Sequence, residues 1–501
     1  MKTISRDQVI DRIKFENPWW KPPHQIDAYY QAMQPRAYFG QFYGLTIEKM
    51  PRRALILMGP RRVGKTVLIY HAIQRLIKKG ADPRSLWYVT VESPIYNGLG
   101  LEELLNLASE ASGIALDQEV YFFVDEIQYL REWEVHLKTL VDAYPRVKVV
   151  ASGSAAAALR LKSNESGAGR FTDFLLPPLT FHEYLKLLKK SDLATVVKDN
   201  SSDFMMTSRD IGALNEAFLH YLNFGGYPEV IFSKQIQSDP GRYIRNDIID
   251  KVLLRDLPSL YGIKDIQELN TLFTTLAYNT GDEVSLDGLS QNSGLAKNTL
   301  KRYIDYLEAA FLIKIVHRID RTAKRFRRAT HFKVYLTNPS MRSALFSPLG
   351  PDDPAMGNLV ETAVFAQWFH SQNASLHYSR WNERNIEGEV DIVYIDERMK
   401  PMWAVEVKWS DEYASDWTKL ASLRRFLSSH KLTTASVTTR TVSSVTRIDG
   451  AEVEFIPAAL YCYLLGYNII RAKSATAAAK RGARIRNEGI GKDDPVPQMA
   501  D

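Results

Sequence analysis

Between positions 53 and 178, short apolar runs alternate with segments whose apolar residues recur at helical spacing. Residues 54–58 are a continuous apolar run and predict a strand. Over 63–79, Val67, Leu68, His71, Leu76 and Ile77 fall near helical spacing and predict a helix. Further strands are predicted over 86–91, 120–124 and 146–151. Apolar strands separated by helices imply a parallel sheet covered on both faces.

The pattern changes on either side. Residues 1–50 are irregular, with Trp19, Trp20, Pro22 and Pro23 clustered. Such a segment either latches onto the next domain by burying its aromatics or places them against a purine ring. Residues 163–169 form a polar, glycine-bearing loop, and 189–210 a polar insertion or linker. Residues 211–261 read as mostly helical, and 268–336 as helices followed by apolar alternation. After a proline-bounded loop at 348–354, a helix near 357–371 precedes strands near 389–395 and 402–407. That is a second α/β unit ending near position 465.

Composition narrows the class without deciding it. The 501 residues are 45% hydrophobic and 24% charged, as in soluble globular proteins of more than one domain. No apolar run reaches the roughly eighteen residues of a membrane span, so no membrane partner is expected. Charges are spread through residues 1–21, so a signal-peptide core is not expected there. Cys462 is the only cysteine, which excludes an intrachain disulfide and fits a cytoplasmic location. The net charge of +6 permits nucleic-acid binding but does not argue for it. Its distribution says more: Arg321, Lys324, Arg325, Arg327 and Arg328 form a dense basic run. The basic tail from Arg471 is either a frayed terminus or an arm that folds on DNA.

The chemistry begins after the first strand. Gly59-Pro60-Arg61-Arg62-Val63-Gly64-Lys65-Thr66 fits the phosphate-binding P-loop pattern, between a strand and a helix as that pattern requires. Successive backbone N–H groups of such a loop point at phosphate oxygens, and the helix N-terminus adds its dipole. Lys65 is expected to neutralise the β- and γ-phosphates of ATP, and Thr66 to ligate Mg²⁺. The strand at 120–124 runs into Asp125 and Glu126, candidates for holding the Mg²⁺ shell and for polarising the attacking water. Ser152 and Ser154 follow the fourth strand and either touch the γ-phosphate or are turn residues.

Two further constellations lie downstream. Residues 284–290, a turn at Gly294 and a helix over 297–307 are followed by apolar Phe311, Leu312, Ile313, Ile315 and Val316, a helix-turn-helix plus wing. Lys297, Lys301 and Arg302 near the second helix's start, with Arg325, Arg327 and Arg328 in or beside the wing, are candidate DNA contacts. The alternative is a winged helix used only for protein packing. In the last unit, Glu361 on a helix, Asp391 on a strand, and Glu406 and Lys408 on the next strand resemble the PD-(D/E)xK nuclease core. There two acids hold Mg²⁺ and the lysine orients the attacking water. Either a live nuclease or a binding-only relic fits.

The order GPRRVGKT, FFVDEIQ, VVASGSAAA, Gly169-Arg170 and LPPLTFHEY resembles the AAA-type ATPases that carry a C-terminal "domain of unknown function 4143". YLNFGGYPEV, DIIDKVLLRDL, GNLVETAVFAQW, GEVDIVY and AVEVKWS extend the resemblance over roughly 40–465. It implies an arginine finger at Arg170, acting on a neighbouring subunit in a homo-oligomer, unless Arg170 serves a structural salt bridge. An acid usual in the family stands here as Asn338. The fold expected is α/β: an N-terminal extension (1–50), an AAA-type ATPase core (51–188), a linker and helical region (189–265), a winged-helix-like unit (266–347), a nuclease-like α/β domain (348–470) and a basic tail (471–501). The implied function is ATP hydrolysis coupled to remodelling or moving DNA. The alternative is a nucleotide-controlled signalling or defence switch.

Overall fold

A computed structural model describes residues 4–153, 169–198, 204–320, 331–371, 374–383 and 386–472. The first sheet is five-stranded, in the order β2-β3-β4-β1-β5, and every pairing is parallel. Its strands are β1 (Ala54–Met58), β2 (Leu86–Thr90), β3 (Val120–Asp125), β4 (Val147–Gly153) and β5 (Phe171–Leu175). Each of the first four is an almost unbroken apolar run, as a strand buried on both faces requires. The helix Lys65–Lys78 packs Leu68, Ile69, Ala72 and Ile73 into one core, while Leu101–Ser112 and Trp133–Ala143 cover the other face.

The N-terminal segment covers the free edge of β2. Asn17 exchanges hydrogen bonds with the Tyr88 backbone, at 2.8 Å to its carbonyl and 2.7 Å from its N–H, much as a neighbouring strand would. Both the Trp19 and Trp20 indoles donate to the Leu86 carbonyl at 2.9 Å, and Trp19 is fully buried. The tryptophans are therefore a latch on the sheet edge.

The polar stretch after 189, read from the sequence as an insertion or linker, contains a two-stranded antiparallel ribbon, β6 (Thr195–Lys198) and β7 (Phe204–Thr207). Helices then run from Ile211–Phe224 to a stretch of π-type turns, Gly241–Asp250 and Val252–Asp256, which continues as Leu257–Tyr261.

The second sheet crosses the boundary drawn at 347/348. Its nine strands lie in the order β15-β16-β14-β13-β12-β11-β9-β10-β8. Three belong to the middle unit: β8 (Glu283–Ser285), β9 (Ile313–Ile319) and β10 (His331–Leu336). The rest are β11 (Leu376–Glu383), β12 (Ile386–Ile395), β13 (Pro401–Glu406), β14 (Thr434–Thr439), β15 (Ser444–Ile448) and β16 (Ala451–Pro457). The seam is a parallel pairing of β9 with β11, from His317–His377 to Ile319–Ser379. The helix Met356–Trp368 is buried along nearly its whole length against this sheet.

Candidate functional site

The P-loop follows β1 and opens the helix Lys65–Lys78. Gly59 is fixed by a close approach: a Cβ there would lie 2.1 Å from the Leu176 carbonyl oxygen. Gly64 has φ +94°, a conformation that side chains with a Cβ resist. The Lys65 ammonium is buried and donates to the carbonyls of Gly59 (3.0 Å) and Pro60 (2.8 Å), drawn in under the loop. Burial lowers its pKa, although Glu126 and Asp125 oppose that shift.

Asp125, at the end of β3, is the hub. Its Oδ2 accepts from Thr66 Oγ1 at 2.7 Å and from Tyr88 OH at 2.9 Å, and its Oδ1 accepts from Ser152 Oγ. Burial raises its pKa, and the neighbouring Glu126 charge adds to that. A hydroxyl and a carboxylate held together on buried backbone are a hard-oxygen pair suited to Mg²⁺. Glu126 lies just beyond the strand with φ +57°, and Gln128 donates to its carboxylate. Val63 sits in the core beneath the loop, and the Arg36 guanidinium donates to its carbonyl at 2.8 Å. Ser154 lies outside the described residues, while Ser152 is the serine joined to Asp125.

The two P-loop arginines are each paired with acids of the helical region. Arg61 makes a two-point ion pair with Asp256, at 2.8 and 2.9 Å, and donates to Tyr129 OH at 2.9 Å. Arg62 reaches Glu229 at 3.3 Å and Asp247 at 3.4 Å and lies over the Tyr243 ring. Sequence reasoning missed these acids. Nothing in residues 228–256 shows that they fold back over a loop nearly two hundred positions earlier.

Arg170 is half-buried immediately before β5, with its Nε 2.9 Å from Asp142 Oδ1. Its own carbonyl accepts from Ala54, where β1 begins, so it stands at the end of the sheet opposite its own P-loop.

The helices Leu286–Ser293 and Lys297–Ala309 are joined by a turn in which Gly294 has φ +73°. Lys297, Lys301 and Arg302 are exposed near the second helix's start, and Lys297 is ion-paired to Asp287. Arg325, Arg327 and Arg328, with Arg321 and Lys324, lie outside the described residues, as does the tail beyond 472.

In the second sheet, β12 and β13 pair antiparallel, with Ile392 opposite Val405. The same register sets Asp391 beside Glu406. Lys408 Nζ lies 2.8 Å from Glu406 Oε1 and 3.4 Å from Asp391 Oδ2, and Asp391 also accepts from the Val407 N–H at 2.8 Å. Glu406 is 8% exposed, and its Oε2 finds no hydrogen-bond partner among the described residues. Burial, reinforced by the Asp391 charge, pushes its pKa up to about 8. Glu361 joins through a lysine that the sequence reading passed over. Lys333 on β10 lies 2.9 Å from Glu361 and 2.6 Å from Glu389. Tyr335 OH donates to the same Glu361 oxygen at 2.5 Å. A signal existed: Lys333 and Tyr335 alternate with Phe332, Val334 and Leu336, and a lysine in an apolar strand needs a buried counter-charge. Among the described residues, no three His, Cys, Asp or Glu side chains are grouped so as to hold a metal.

Comparison with known proteins agrees with the first of these sites. Residues 51–185 match the AAA domain family, so the chain contains an AAA-type, P-loop ATPase-like domain. Residues 215–353 match a separate domain of unknown function, DUF8612. An uncharacterised protein of Methanocaldococcus jannaschii is 26% identical over 333 residues, 64% of this chain and 68% of its own. One from Haemophilus influenzae is 23% identical over 317 residues, 62% of this chain and 73% of its own. Among solved structures, the Walker-type ATPase of Pyrococcus abyssi covers 63% of this chain and 99% of its own at 15% identity, with a TM-score of 0.39. The ADP form of the Aeropyrum pernix ORC2 protein covers 60% and 90% at 14% identity, with a TM-score of 0.32. No helix among the described residues is long and apolar enough to cross a membrane.

Proposed function

We propose that the chain binds ATP with Mg²⁺ at the P-loop, hydrolyses it as a homo-oligomer, and uses the cycle to remodel or move DNA. The observation that carries the ATPase half is the hub at Asp125, which gathers Thr66, Tyr88 and Ser152 beside the P-loop lysine. In this reading the backbone N–H groups of residues 59–66 and the Lys65 ammonium take the phosphate charge. Thr66 and Asp125 hold Mg²⁺, which when bound draws charge from the phosphate oxygens. Glu126 orients the attacking water and accepts its proton. Arg170 of one subunit serves the γ-phosphate of the next.

The DNA half rests on exposed Lys297, Lys301 and Arg302 on a helix-turn-helix, read as a winged helix with β9 and β10 as its wing. Arg325, Arg327 and Arg328, between those strands in sequence, complete the proposed contact. The C-terminal unit is read as a nuclease-like domain in which Asp391 and Glu406 hold a divalent ion, beside Glu361, and Lys408 orients water. The buried Glu406 oxygen that has no hydrogen-bond partner among the described residues supports that fit.

A second reading, a nucleotide-controlled switch, is favoured by the ion pairs of Arg61 and Arg62 with Asp256, Asp247 and Glu229. They tie the phosphate loop to the helical region and give nucleotide state a route to the C-terminal half. One experiment separates the two. Steady-state ATP hydrolysis is measured in Mg²⁺ against single-stranded, duplex and four-way-branched DNA, with Lys65→Ala as control. Stimulation of about tenfold or more by one form is expected of the DNA-dependent enzyme. Turnover indifferent to every form would leave the switch reading.

A further inference from the structure

Lys333 belongs to none of the motifs around the acid cluster, yet it is held there more closely than any other cation. It is 4% exposed, and its ammonium touches both Glu361 and Glu389. Tyr335, two positions along the same strand and so on the same face, takes the Glu361 oxygen that Lys333 also binds. Glu361 is thus gripped from β10, a strand of the middle unit, rather than from β12 or β13. A lysine leaves water at such a place only when opposite charge and hydrogen bonds replace its hydration. On the other side, Lys408 takes Asp391 and one oxygen of Glu406 and leaves the second oxygen unpartnered among the described residues. Four carboxylates, of Glu361, Glu389, Asp391 and Glu406, face the ammoniums of Lys333 and Lys408 and the Arg380 guanidinium, which lies 3.6 Å from Glu389. With every group ionised, the cluster is one negative charge in excess, and the excess lies at the Asp391–Glu406 end.

We propose that Lys333 is a tethered cation standing where a metal ion would otherwise sit between Glu361 and Glu389. Glu361 is thereby withdrawn from ligation, and a divalent ion bound at the cluster uses Asp391 and Glu406. This deepens the reading of the cluster as a divalent-ion site and rests on it only for that last clause. It also accounts for the lack of a three-acid metal group among the described residues: an ammonium separates the acids that would form it.

The test is Mn²⁺ affinity, followed by the paramagnetic signal of the free ion, without nucleotide and in a Thr66→Ala background that disables the P-loop metal position. Glu361→Gln is expected to leave Mn²⁺ affinity unchanged, whereas Asp391→Asn abolishes it. Lys333→Met is expected to tighten it by about tenfold or more, as the freed carboxylates converge on the ion. Lys333→Arg should match the parent, and Lys333→Met with Glu361→Gln should return toward it. Lys333→Met without effect would overturn the proposal, and so would Glu361→Gln weakening the parent as much as Asp391→Asn does. Should Lys333→Met alone fail to fold, the Glu361→Gln comparison still decides. A parent that binds no Mn²⁺ removes Asp391 and Glu406 as a metal pair. The Lys333 assignment then stands if Lys333→Met creates a site, and falls if it does not.

Discussion

At the scale of single residues, Asp125 shows how much chemistry depends on partners far away in sequence. Its carboxylate collects hydroxyls from Thr66, Tyr88 and Ser152, which lie on the helix after the P-loop, on β2 and on β4. Asp125, Lys65 and Thr66 were legible in the sequence because their motifs are local and need only a strand and a turn to work. Tyr88 was not, since its role depends on β2 lying beside β3, with Thr90 opposite Asp125. Lys65→Ala is expected to weaken ATP binding about a hundredfold, seen with a fluorescent nucleotide. Glu126→Gln should bind ATP as the wild type does but slow turnover by about a hundredfold or more, the usual worth of a general base. Wild-type turnover in Glu126→Gln would remove it from that role. Tyr88→Phe deletes one of four hydrogen bonds to the Asp125 carboxylate and should cost about 1 kcal/mol of stability in urea unfolding. It should leave the nucleotide affinity within about twofold, because Lys65 and the loop backbone are untouched.

At the scale of elements, the short helix Phe181–Leu187 is the joint between the ATPase-like domain and the rest of the chain. Thr180 and Glu183 form a capping box at its start, and Glu183 also makes a buried, two-point ion pair with Arg36. Gln367 caps the Phe181 N–H from the helix Met356–Trp368. The C-terminal helical residues 458–472 lie against it so closely that a Cβ at Gly466 would sit 3.0 Å from His182 Cβ. His182 is packed between the rings of Tyr463 and Tyr467. Burial lowers its imidazole to about 4, below the roughly 6.5 of an exposed histidine. Between those values the unfolded chain binds a proton that the folded chain refuses. The stability tied to a neutral His182 is therefore complete above about pH 6.5 and lost as pH falls toward 4. From pH 7 to pH 5 the loss is about 2 kcal/mol. Urea unfolding of wild type and His182→Phe at both pH values should show that much change in their difference, and an unchanged difference would mean His182 is not buried neutral. The segment's motif was legible, but the three elements that converge on it were not, because no local pattern records which distant faces will meet. The nine-stranded sheet carries the same lesson. The seam between β9 and β11 joins two units that the sequence parts at the Pro348–Pro354 loop.

At the scale of the whole molecule, Arg170 tests whether one chain is the working unit. Within the chain it is paired with Asp142 on the surface, at the end of the sheet away from its own P-loop. An exposed pair of that kind contributes little to stability, so the structural role competes only weakly with a functional one. Its position keeps it from its own P-loop, so the proposed finger role requires a neighbour's nucleotide. Arg170→Ala should therefore bind ATP normally and hydrolyse it at least about a hundredfold more slowly, the loss expected when a charge-stabilising donor is removed. Mixing gives the sharper outcome. Arg170→Ala subunits keep an intact Glu126 but offer no finger, whereas Glu126→Gln subunits offer a finger but cannot use their own site. Each is inactive by itself. In a mixed assembly, an Arg170→Ala site next to a Glu126→Gln subunit has everything it needs, and hydrolysis should reappear, rising with protein concentration as assembly does. If mixtures stay as inactive as their components while light scattering shows that they co-assemble, Arg170 is a surface ion pair. The γ-phosphate charge must then be met from within the chain, where Arg61 is the arginine already anchored beside the loop.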